Sequence, residues 1–416
     1  MKAFRLTVLL IAGALVACPP TAFARIKLAA LPQRERVEIQ LDDPRYTLVE
    51  EERIVPLLQS TSERGNNMID FSWSNTAIDK DSIQFRPIAI HEGDKFRAIA
   101  KADGADEVAV INVAYPPSEN ALVWEVYAAK ACAVKVRVSY RVMNLSRSFS
   151  YRALADKDEK KLTLRNFLEL NNLSGESFGT AEVWAGFGPQ FLKPVDQPQE
   201  IKMLLEKFDR VPIEKTYSFD WFANGPLNAE KPLASKVLMH YVLVNDEKNG
   251  MGKFPLQGGK VRIFIDDGRG GEAFLGEDMA PLTPLDDKMK LYLGQARDVV
   301  CTRTIQTDKR TPIRGDLFNR EMVIKYEIEN FKDQPVTLQI VEQMNRVARE
   351  GTYGRDPHGD AEWEKGKLTT EKVDFTYEDG KSSPMLHIKL PPRPKKADDK
   401  VEKLTVQFHF ILKNLW

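Results

Sequence analysis

The chain has 416 residues, of which 43% are hydrophobic and 29% are charged, and its 60 basic side chains equal its 60 acidic ones. Such a composition can bury a core, which excludes a chain that is disordered as a whole. The absence of net charge argues against a nucleic-acid-binding surface, which needs an excess of Lys and Arg. The length predicts three or four modules of roughly 100 residues each.

The first residues have the composition of a signal peptide. Two basic residues, Lys2 and Arg5, precede a largely apolar stretch at 6–17, and the sequence Ala-Phe-Ala before Arg25 has the small-x-small spacing of a cleavage site. The apolar stretch is shorter than the ~20 residues that a membrane-spanning helix needs. We therefore expect residues 1–24 to be removed and the mature protein to be periplasmic or secreted.

A second processing route competes with this one. The four residues that end at Cys18, Leu-Val-Ala-Cys, are similar to a bacterial lipobox, in which the cysteine is acylated and becomes the new N-terminus. Pro19, directly after the cysteine, is unfavourable for this route. The alternative is thus a membrane-anchored lipoprotein with Cys18 as the candidate lipidation site, and contact with a membrane is expected only in that case.

Cleavage before Arg25 would leave two cysteines, Cys132 and Cys301, in the mature chain. An oxidising compartment permits a disulfide between them. Each cysteine lies in a strand-like apolar run, where a free thiol packs like a small hydrophobic side chain. We favour two separately buried thiols.

The sequence of the mature chain predicts an all-β protein made of tandem antiparallel β-sandwich modules of the immunoglobulin-like type, with little helix. Short runs with period-two alternation, bounded by Gly, Pro, Asn and Asp, recur along it. The predicted parts are the signal peptide at 1–24, a β-sandwich module at 36–115, a β module at 121–190, a Pro- and Gly-rich connector at 191–232, and one or more β modules at 236–416. The single helix expected in the mature chain covers residues 200–208.

The strongest alternation occurs at residues 131–142. One face is apolar and the other carries three basic residues and a serine, which predicts an antiparallel strand with one solvated side. The apolar face consists of Val134, Val136, Val138, Tyr140 and Val142. The basic face could attract an anion, although a solvated face is the commoner explanation.

Three strand ends share one form, in which an alternating strand is followed by Asn and then by a turn. They lie at 168–171, 241–245 and 326–330. Their spacing of about 75–85 residues is close to one sandwich module. Because a strand followed by Asn is common, we interpret this as repeated architecture and not as detectable duplication.

Residues 238–343 contain several turn and strand motifs that are weak singly and specific as a set. They include Gly258-Gly259-Lys260-Val261, Phe274-Leu275-Gly276-Glu277 and Tyr326-Glu327-Ile328-Glu329-Asn330. These motifs resemble the C-terminal domain of unknown function in the mucoidy-inhibitor-A-like family of exported proteins. The resemblance implies a fold and no established activity. The chain departs from the family pattern in having Phe149 where Trp is expected, and it lacks the long coiled coil of some relatives, which puts a coiled-coil assembly role in doubt.

Catalytic chemistry has little support in the sequence. The five histidines stand at no metal-ligand spacing, and neither Cys-x-x-Cys nor a Gly-x-Ser-x-Gly nucleophile elbow occurs. We predict no cofactor and no metal, and the sequence nominates no catalytic residue. The alternative function is a hydrolase that uses carboxylates in a cleft between β modules.

Binding is the function class that remains. Phe219, Trp221 and Phe222 form an aromatic cluster in the predicted connector and are the candidate partner contact, since large apolar groups seldom stay exposed without a partner. The other interpretation is an anchor that packs the connector onto a module. We predict an exported cell-envelope protein that is a non-enzymatic binding or structural module. Its partner would be an unknown envelope component, either protein or polysaccharide, and not a nucleic acid.

Overall fold

The computed structural model describes residues 25–28, 34–43, 45–61, 67–73, 76–99, 107–220, 233–349, 361–371, 374–380, 382–394 and 401–416. These residues form 27 β-strands, one α-helix and a 3₁₀ turn at Glu247–Asn249. The described chain is therefore nearly all β, which confirms the predicted fold class at that level. The immunoglobulin-like type stays a prediction.

The strands and the helix have the following bounds. They are β1 (Arg25–Lys27), β2 (Arg36–Gln40), β3 (Thr47–Leu57), β4 (Asn67–Ser72), β5 (Ile78–Glu92), β6 (Lys95–Ala98), β7 (Val108–Ala114), β8 (Ala121–Ala128), β9 (Cys132–Val142), β10 (Leu145–Ala155), β11 (Lys161–Asn172), β12 (Gly179–Trp184), β13 (Phe191–Val195), β14 (Gln199–Pro212), β15 (Glu214–Asp220), β16 (Leu233–Ser235), β17 (Leu238–Val244), β18 (Gly259–Asp266), β19 (Glu272–Ala280), β20 (Lys288–Gln295), β21 (Val299–Arg314), β22 (Leu317–Asn330), β23 (Val336–Val341), α1 (Met344–Arg349), β24 (Trp363–Glu371), β25 (Phe375–Glu378), β26 (Met385–Leu390) and β27 (Leu404–Leu415).

The strands are arranged in five sheets, which we call sheets A to E. Sheet A has the order β1-β4-β8-β7, and sheet B has the order β13-β12-β2-β3-β9-β5-β6. Sheet C has the order β14-β11-β10-β18-β19. Sheet D has the order β20-β17-β15-β23-β26-β25, and sheet E has the order β16-β21-β22-β27-β24.

The chain divides into two compact units. Unit 1 comprises Met1–Arg147 and Leu170–Ile201, and unit 2 comprises Ser148–Glu169 and Lys202–Trp416. Sheets A and B lie in unit 1, whereas sheets D and E lie in unit 2. This division corrects the predicted boundary between 36–115 and 121–190, because β9 inserts between β3 and β5 and β12 pairs with β2. Strands from both predicted modules therefore share the same sheets.

The predicted connector at 191–232 also needs correction. As far as residue 220 it consists of β13, β14 and β15, and residues 221–232 lie outside the described ranges. The helix predicted at 200–208 is wrong, since these residues belong to β14. Met203 and Leu205 are buried while Leu204 between them is 47% exposed, which is the alternation of a strand.

Antiparallel pairs predominate, as predicted, but the described strands include four pairs that run parallel. They are β1 with β4, β10 with β18, β2 with β12, and β15 with β23. In each parallel pair the partners are separated by other strands along the chain, as they must be, because a hairpin turn can join only antiparallel strands. Period-two alternation carries no information about strand direction, so the sequence did not predict the parallel pairs.

Sheets D and E pack together as a two-layer sandwich with one core. That core contains Phe219 and Tyr217 from sheet D and Cys301 and Tyr326 from sheet E. Met344, Val347 and Ala348 of α1 are buried in the same core. The inward side chains alternate with outward ones on each strand, so the outer face of sheet D is left for polar residues.

The recurrent asparagines have a shared structural role. The side chains of Asn172, Asn245 and Asn330 are buried where three strands give way to loops. Asn245 donates to the carbonyls of Phe254, Thr283 and Pro284, at distances between 3.1 and 3.3 Å. Asn172 and Asn330 each donate to two loop carbonyls in the same way. A buried amide that satisfies loop carbonyls fixes the turn, and the first repeat uses Asn172 in place of the exposed Asn171.

The basic face of β9 is partly solvated and ion-paired, although Ser139 on the same face is buried. Arg137 lies 2.6 Å from Glu52 of β3, and Arg141 lies 2.8 Å from Asp79 of β5. The predicted strand with one solvated face is thus confirmed. Because neighbouring strands supply acids, this face is not a basic patch.

Both cysteines of the described chain are free thiols, as we favoured. Cys132 is partly buried on β9 and Cys301 is fully buried on β21. Burial raises the pKa of each thiol, which favours its protonated form. Cys18 lies outside the described residues.

Candidate functional site

A groove on sheet D brings together polar side chains that the fold leaves free. It encloses a volume of about 340 Å³. Pockets for small molecules typically occupy roughly 300–1,000 Å³, so this groove lies at the lower end of that range. Its walls are formed by Thr337, Asp374, Phe375, Thr376, His387 and Lys389.

The alternation of β26 explains why two of these residues face outward. Leu386, Ile388 and Leu390 are buried in the sandwich core. Successive side chains of a strand point to opposite faces, so His387 and Lys389 lie on the outer face of sheet D. The apolar residues of this strand therefore position the polar ones.

Strand register assembles the rest of the groove. His387 is opposite Thr376 on β25, and Lys389 is opposite Thr337 on β23. The backbone amide of Lys389 donates to the carbonyl oxygen of Asp374 at 3.1 Å, which holds Asp374 beside the groove. Residues more than 35 positions apart in the sequence thus meet on one surface.

Two charged groups of the groove are unpaired. Within the described ranges, the Lys389 ammonium and the Asp374 carboxylate have no ion-pair or side-chain hydrogen-bond partner. His387 Nε2 lies 3.3 Å from the Glu378 carboxylate, and Phe375, whose side chain packs against the sandwich core, also lines the groove. The groove can therefore bind a small polar ligand through one cationic, one anionic and several neutral groups.

The carboxylate of Glu342 is buried in the core of the unit 2 sandwich and is fully engaged. Arg303 Nε and Nη2 donate to its two oxygens at 2.7 and 3.1 Å, and the Tyr326 hydroxyl donates to one of them. Burial, and then the charge of Glu342, raises the pKa of Tyr326 well above its usual value. A carboxylate held by a guanidinium and a phenol stabilises the core and has little freedom to act on a ligand.

Unit 1 contains a similar cluster around Glu51. Arg34 and Arg53 lie 2.7 and 3.0 Å from its carboxylate, and the Tyr140 hydroxyl donates to it at 3.2 Å. Arg34 also pairs with Glu176. Burial, and then Glu51, raises the pKa of Tyr140.

A third acid–tyrosine contact lies within unit 2. Glu159 accepts hydrogen bonds from Lys215 and from the buried Tyr241, both at 2.6 Å. Burial raises the pKa of Tyr241, and the hydrogen bond to Glu159 adds to the effect. The same combination of an acid, a base and a tyrosine therefore recurs in three places.

The structure places one residue of the predicted partner contact. Phe219 is fully buried on β15, where its ring forms a T-shaped contact with that of Tyr326, so it is not an exposed contact. This corrects the prediction for Phe219 and agrees with the alternative interpretation as an anchor. Trp221 and Phe222 lie outside the described residues.

Sequence reasoning missed the groove. Its residues alternate with core residues, as on any half-buried strand, so nothing marks them in the sequence. The one usable signal is His387, which is flanked by the apolar alternation of β26. Only the register of three strands shows that its neighbours converge.

Two kinds of feature are absent from the described ranges. No group of three or more His, Cys, Asp or Glu side chains there could hold a metal ion. In the same residues, no helix has the length and apolar character needed to cross a membrane.

The fold and the groove define a class, namely an all-β protein of several sheets with a small polar groove on one of them. Comparison with known proteins adds no narrower assignment, because no protein-family model and no curated protein matches the chain. The resemblance of residues 238–343 to the mucoidy-inhibitor-A-like family therefore stays a prediction.

Proposed function

We propose that this chain is an exported cell-envelope protein that acts as a binding or structural module and not as an enzyme. The observation that carries the proposal is the state of its buried acids. Glu51, Asp70 and Glu342 are the buried acidic residues of the described chain, and each is ion-paired with arginine. Acids used in this way stabilise sheets.

A carboxylate-dependent hydrolase needs a different arrangement. Two carboxyl groups must face one ligand space, one as acid and one as base or nucleophile. The lining of the groove on sheet D has one acidic residue, Asp374, and the neighbouring Glu378 carboxylate is paired with His387. The mixed charge of Asp374 and Lys389 suits recognition of a polar group better than acid–base catalysis.

Export rests on the leader-like residues 1–24, and its test is the N-terminus of the protein made in a bacterial host. We expect a mature chain that begins at Arg25 in the periplasmic or secreted fraction. A diacylglyceryl modification on Cys18 would instead support the membrane-anchored form of the same module. Retention of Met1 in the cytoplasm would contradict both forms.

The binding role is tested by recovery of envelope components on the immobilised protein. We expect the double variant Asp374→Asn, Lys389→Ala to lose a component that the unmodified protein retains. Lys193→Ala is the matched control, because Lys193 is an exposed lysine on β13 outside the groove. Equal recovery with all three proteins would place binding elsewhere, and hydrolysis of an envelope polymer that Asp374→Asn abolishes would favour the enzyme.

A further inference from the structure

The strand β7 has an unusual sheet edge. It is the last strand of sheet A and, among the described strands, it pairs with β8 alone. Apolar side chains on it or directly after it are exposed, namely Val110 (36%), Ile111 (46%), Val113 (41%) and Tyr115 (53%). Residues 108–115 include no charge and no proline. Natural edge strands usually carry a charged residue or a proline, because these residues block pairing with another strand.

The backbone at the middle of β7 is not fully paired with β8. A bulge between Val110 and Asn112 leaves Ile111 without a partner on β8. The amide of Val113 donates to the side-chain oxygen of Asn112 at 2.8 Å. A local bond of this kind satisfies an amide in the single chain, and an added strand can replace it.

The sequence of β7 is nearly its own reverse. Residues 109–114 read Ala-Val-Ile-Asn-Val-Ala in one direction and Ala-Val-Asn-Ile-Val-Ala in the other. In an antiparallel pair with a two-fold axis between residues 111 and 112, Val110 faces Val113 of a second copy and Ala109 faces Ala114. A strand of this kind is complementary to itself, and no like charges meet across the axis.

In the same register, residues that lie opposite each other belong to the same face of the sheet. Val110 is opposite Val126 on β8 and Val113 is opposite Trp124, and both partners are buried. Val110 and Val113 therefore lie on the core-facing side of sheet A, so the pairing joins apolar face to apolar face. A slip of one residue would set Val110 against Asn112 and mismatch the faces.

We propose that β7 is a dimer interface, at which two copies of the chain join their A sheets through antiparallel β7 strands into one continuous sheet. The apolar side chains of both copies leave water, and new backbone hydrogen bonds fix the direction. A single short strand buries much less than the roughly 1,600 Å² of a standard interface, so the dimer is weak and depends on concentration.

Sedimentation equilibrium over a range of concentrations tests the proposal on the protein made from its full sequence. We expect a reversible dimer for the unmodified chain and a monomer for the double variant Val110→Lys, Val113→Lys. Leu192→Lys is the matched control, since Leu192 is 68% exposed on β13 at the end of sheet B and should leave the dimer unchanged. Circular dichroism melts show that each variant is folded.

A second double variant tests the register and guards against a folding defect. Val110→Lys with Val113→Glu sets opposite charges across the two-fold axis, whereas the double lysine variant sets like charges there. The opposite-charge variant should dimerise about tenfold more tightly than the double lysine variant. A monomer for the unmodified chain at all concentrations, or equal association of the two variants, would overturn the proposal. A different protein bound at β7 while the pure chain stays monomeric would also overturn it.

Discussion

At the residue scale, Arg303 and Glu342 form a buried ion pair in which each charge needs the other as its counter-charge. Both side chains are 1% exposed. Replacing Glu342 with Gln leaves the Arg303 guanidinium buried without a counter-charge, and we expect unit 2 to lose about 3–5 kcal/mol of unfolding free energy. Urea unfolding followed by circular dichroism measures the loss.

The exposed pair Arg262–Glu277 is the control for that substitution. Its side chains are 62% and 40% exposed and lie 3.1 Å apart. Glu277→Gln should change the unfolding free energy far less than Glu342→Gln does, because solvent screens an exposed pair. Similar losses for Glu277→Gln and Glu342→Gln would contradict the role given to burial.

Asn166 provides the opposite case. It is fully buried on β11, and neither its amide nitrogen nor its oxygen has a hydrogen-bond partner among the described residues. We expect Asn166→Leu to raise the unfolding free energy by about 1–3 kcal/mol, the usual cost of an unsatisfied buried amide. Chemical denaturation measures the gain.

Asn245→Leu is the contrast for Asn166→Leu, since it removes an amide that bonds three loop carbonyls and should destabilise the protein. A loss of stability in Asn166→Leu as well would show that an internal water satisfies Asn166 in solution.

Residue roles were only partly predictable from the sequence. The separate, unpaired state of Cys132 and Cys301 followed from their apolar neighbours. The burial of Phe219 did not follow, because an aromatic residue beside Asp220 is compatible with a surface loop and with a strand end alike. The partners of a side chain depend on strand register, which single residues do not encode.

At the element scale, the close approach of β10 and β18 depends on one glycine. A Cβ atom at Gly259 would overlap the backbone carbonyl of Phe149, whereas at Gly258 the nearest atom, the Ala280 oxygen, lies at 3.4 Å. Gly259→Ala should therefore cost about 1–3 kcal/mol or more, since the backbone must shift to admit the methyl group. Gly258→Ala is the adjacent control, and thermal melts that rank the two variants equally would contradict this account.

The hairpin of β21 and β22 contains a pH-sensitive pair. Arg320 Nε and Nη2 each donate to Asp308 at 2.7 Å, and Arg320 Nη1 donates to the carbonyl of Val347 in α1. The hydrogen bond from Arg320 holds the pKa of Asp308 below its usual value of 3.8. The stability from this pair is therefore present at neutral pH and is lost as the pH falls through the lowered pKa.

Asp308→Asn should accordingly be less stable than the unmodified chain at pH 7, and the difference should shrink below pH 3.8. Urea midpoints measured between pH 7 and pH 3 check this. Asp316→Asn, in the exposed turn of the same hairpin, should show no such convergence. A gap between Asp308→Asn and the unmodified chain that stays constant with pH would refute the role of the pair.

Strand existence was the most predictable property of the elements. The alternation at 131–142 identified β9 and its solvated face because one face is uniformly apolar. The same logic failed at 200–208, because the apolar residues at 201, 204, 205 and 208 fit helical spacing, whereas the strand buries Met203 and Leu205 and exposes Leu204. Partners such as β15 and β23 lie over a hundred residues apart, and alternation does not specify such pairs.

At the scale of the whole molecule, each unit has its own free thiol, which is fully buried in the case of Cys301 and partly buried in the case of Cys132. Cys132 lies in unit 1 and Cys301 in unit 2, and both are free. A thiol that is wholly or partly buried in the folded state reacts faster once its surroundings unfold. Labelling in increasing urea, with the labelled peptides identified by mass spectrometry, therefore reports the unfolding of each unit separately.

Because Arg303 and Glu342 belong to the core of unit 2, Glu342→Gln should lower the urea midpoint for labelling of Cys301 and leave that of Cys132 nearly unchanged. Substitution of Glu51 by Gln should have the converse effect, since Glu51 holds Arg34 and Arg53 in unit 1. Equal shifts of both midpoints in both variants would show that the chain unfolds as one cooperative body, and the two units would then not be separate thermodynamic domains.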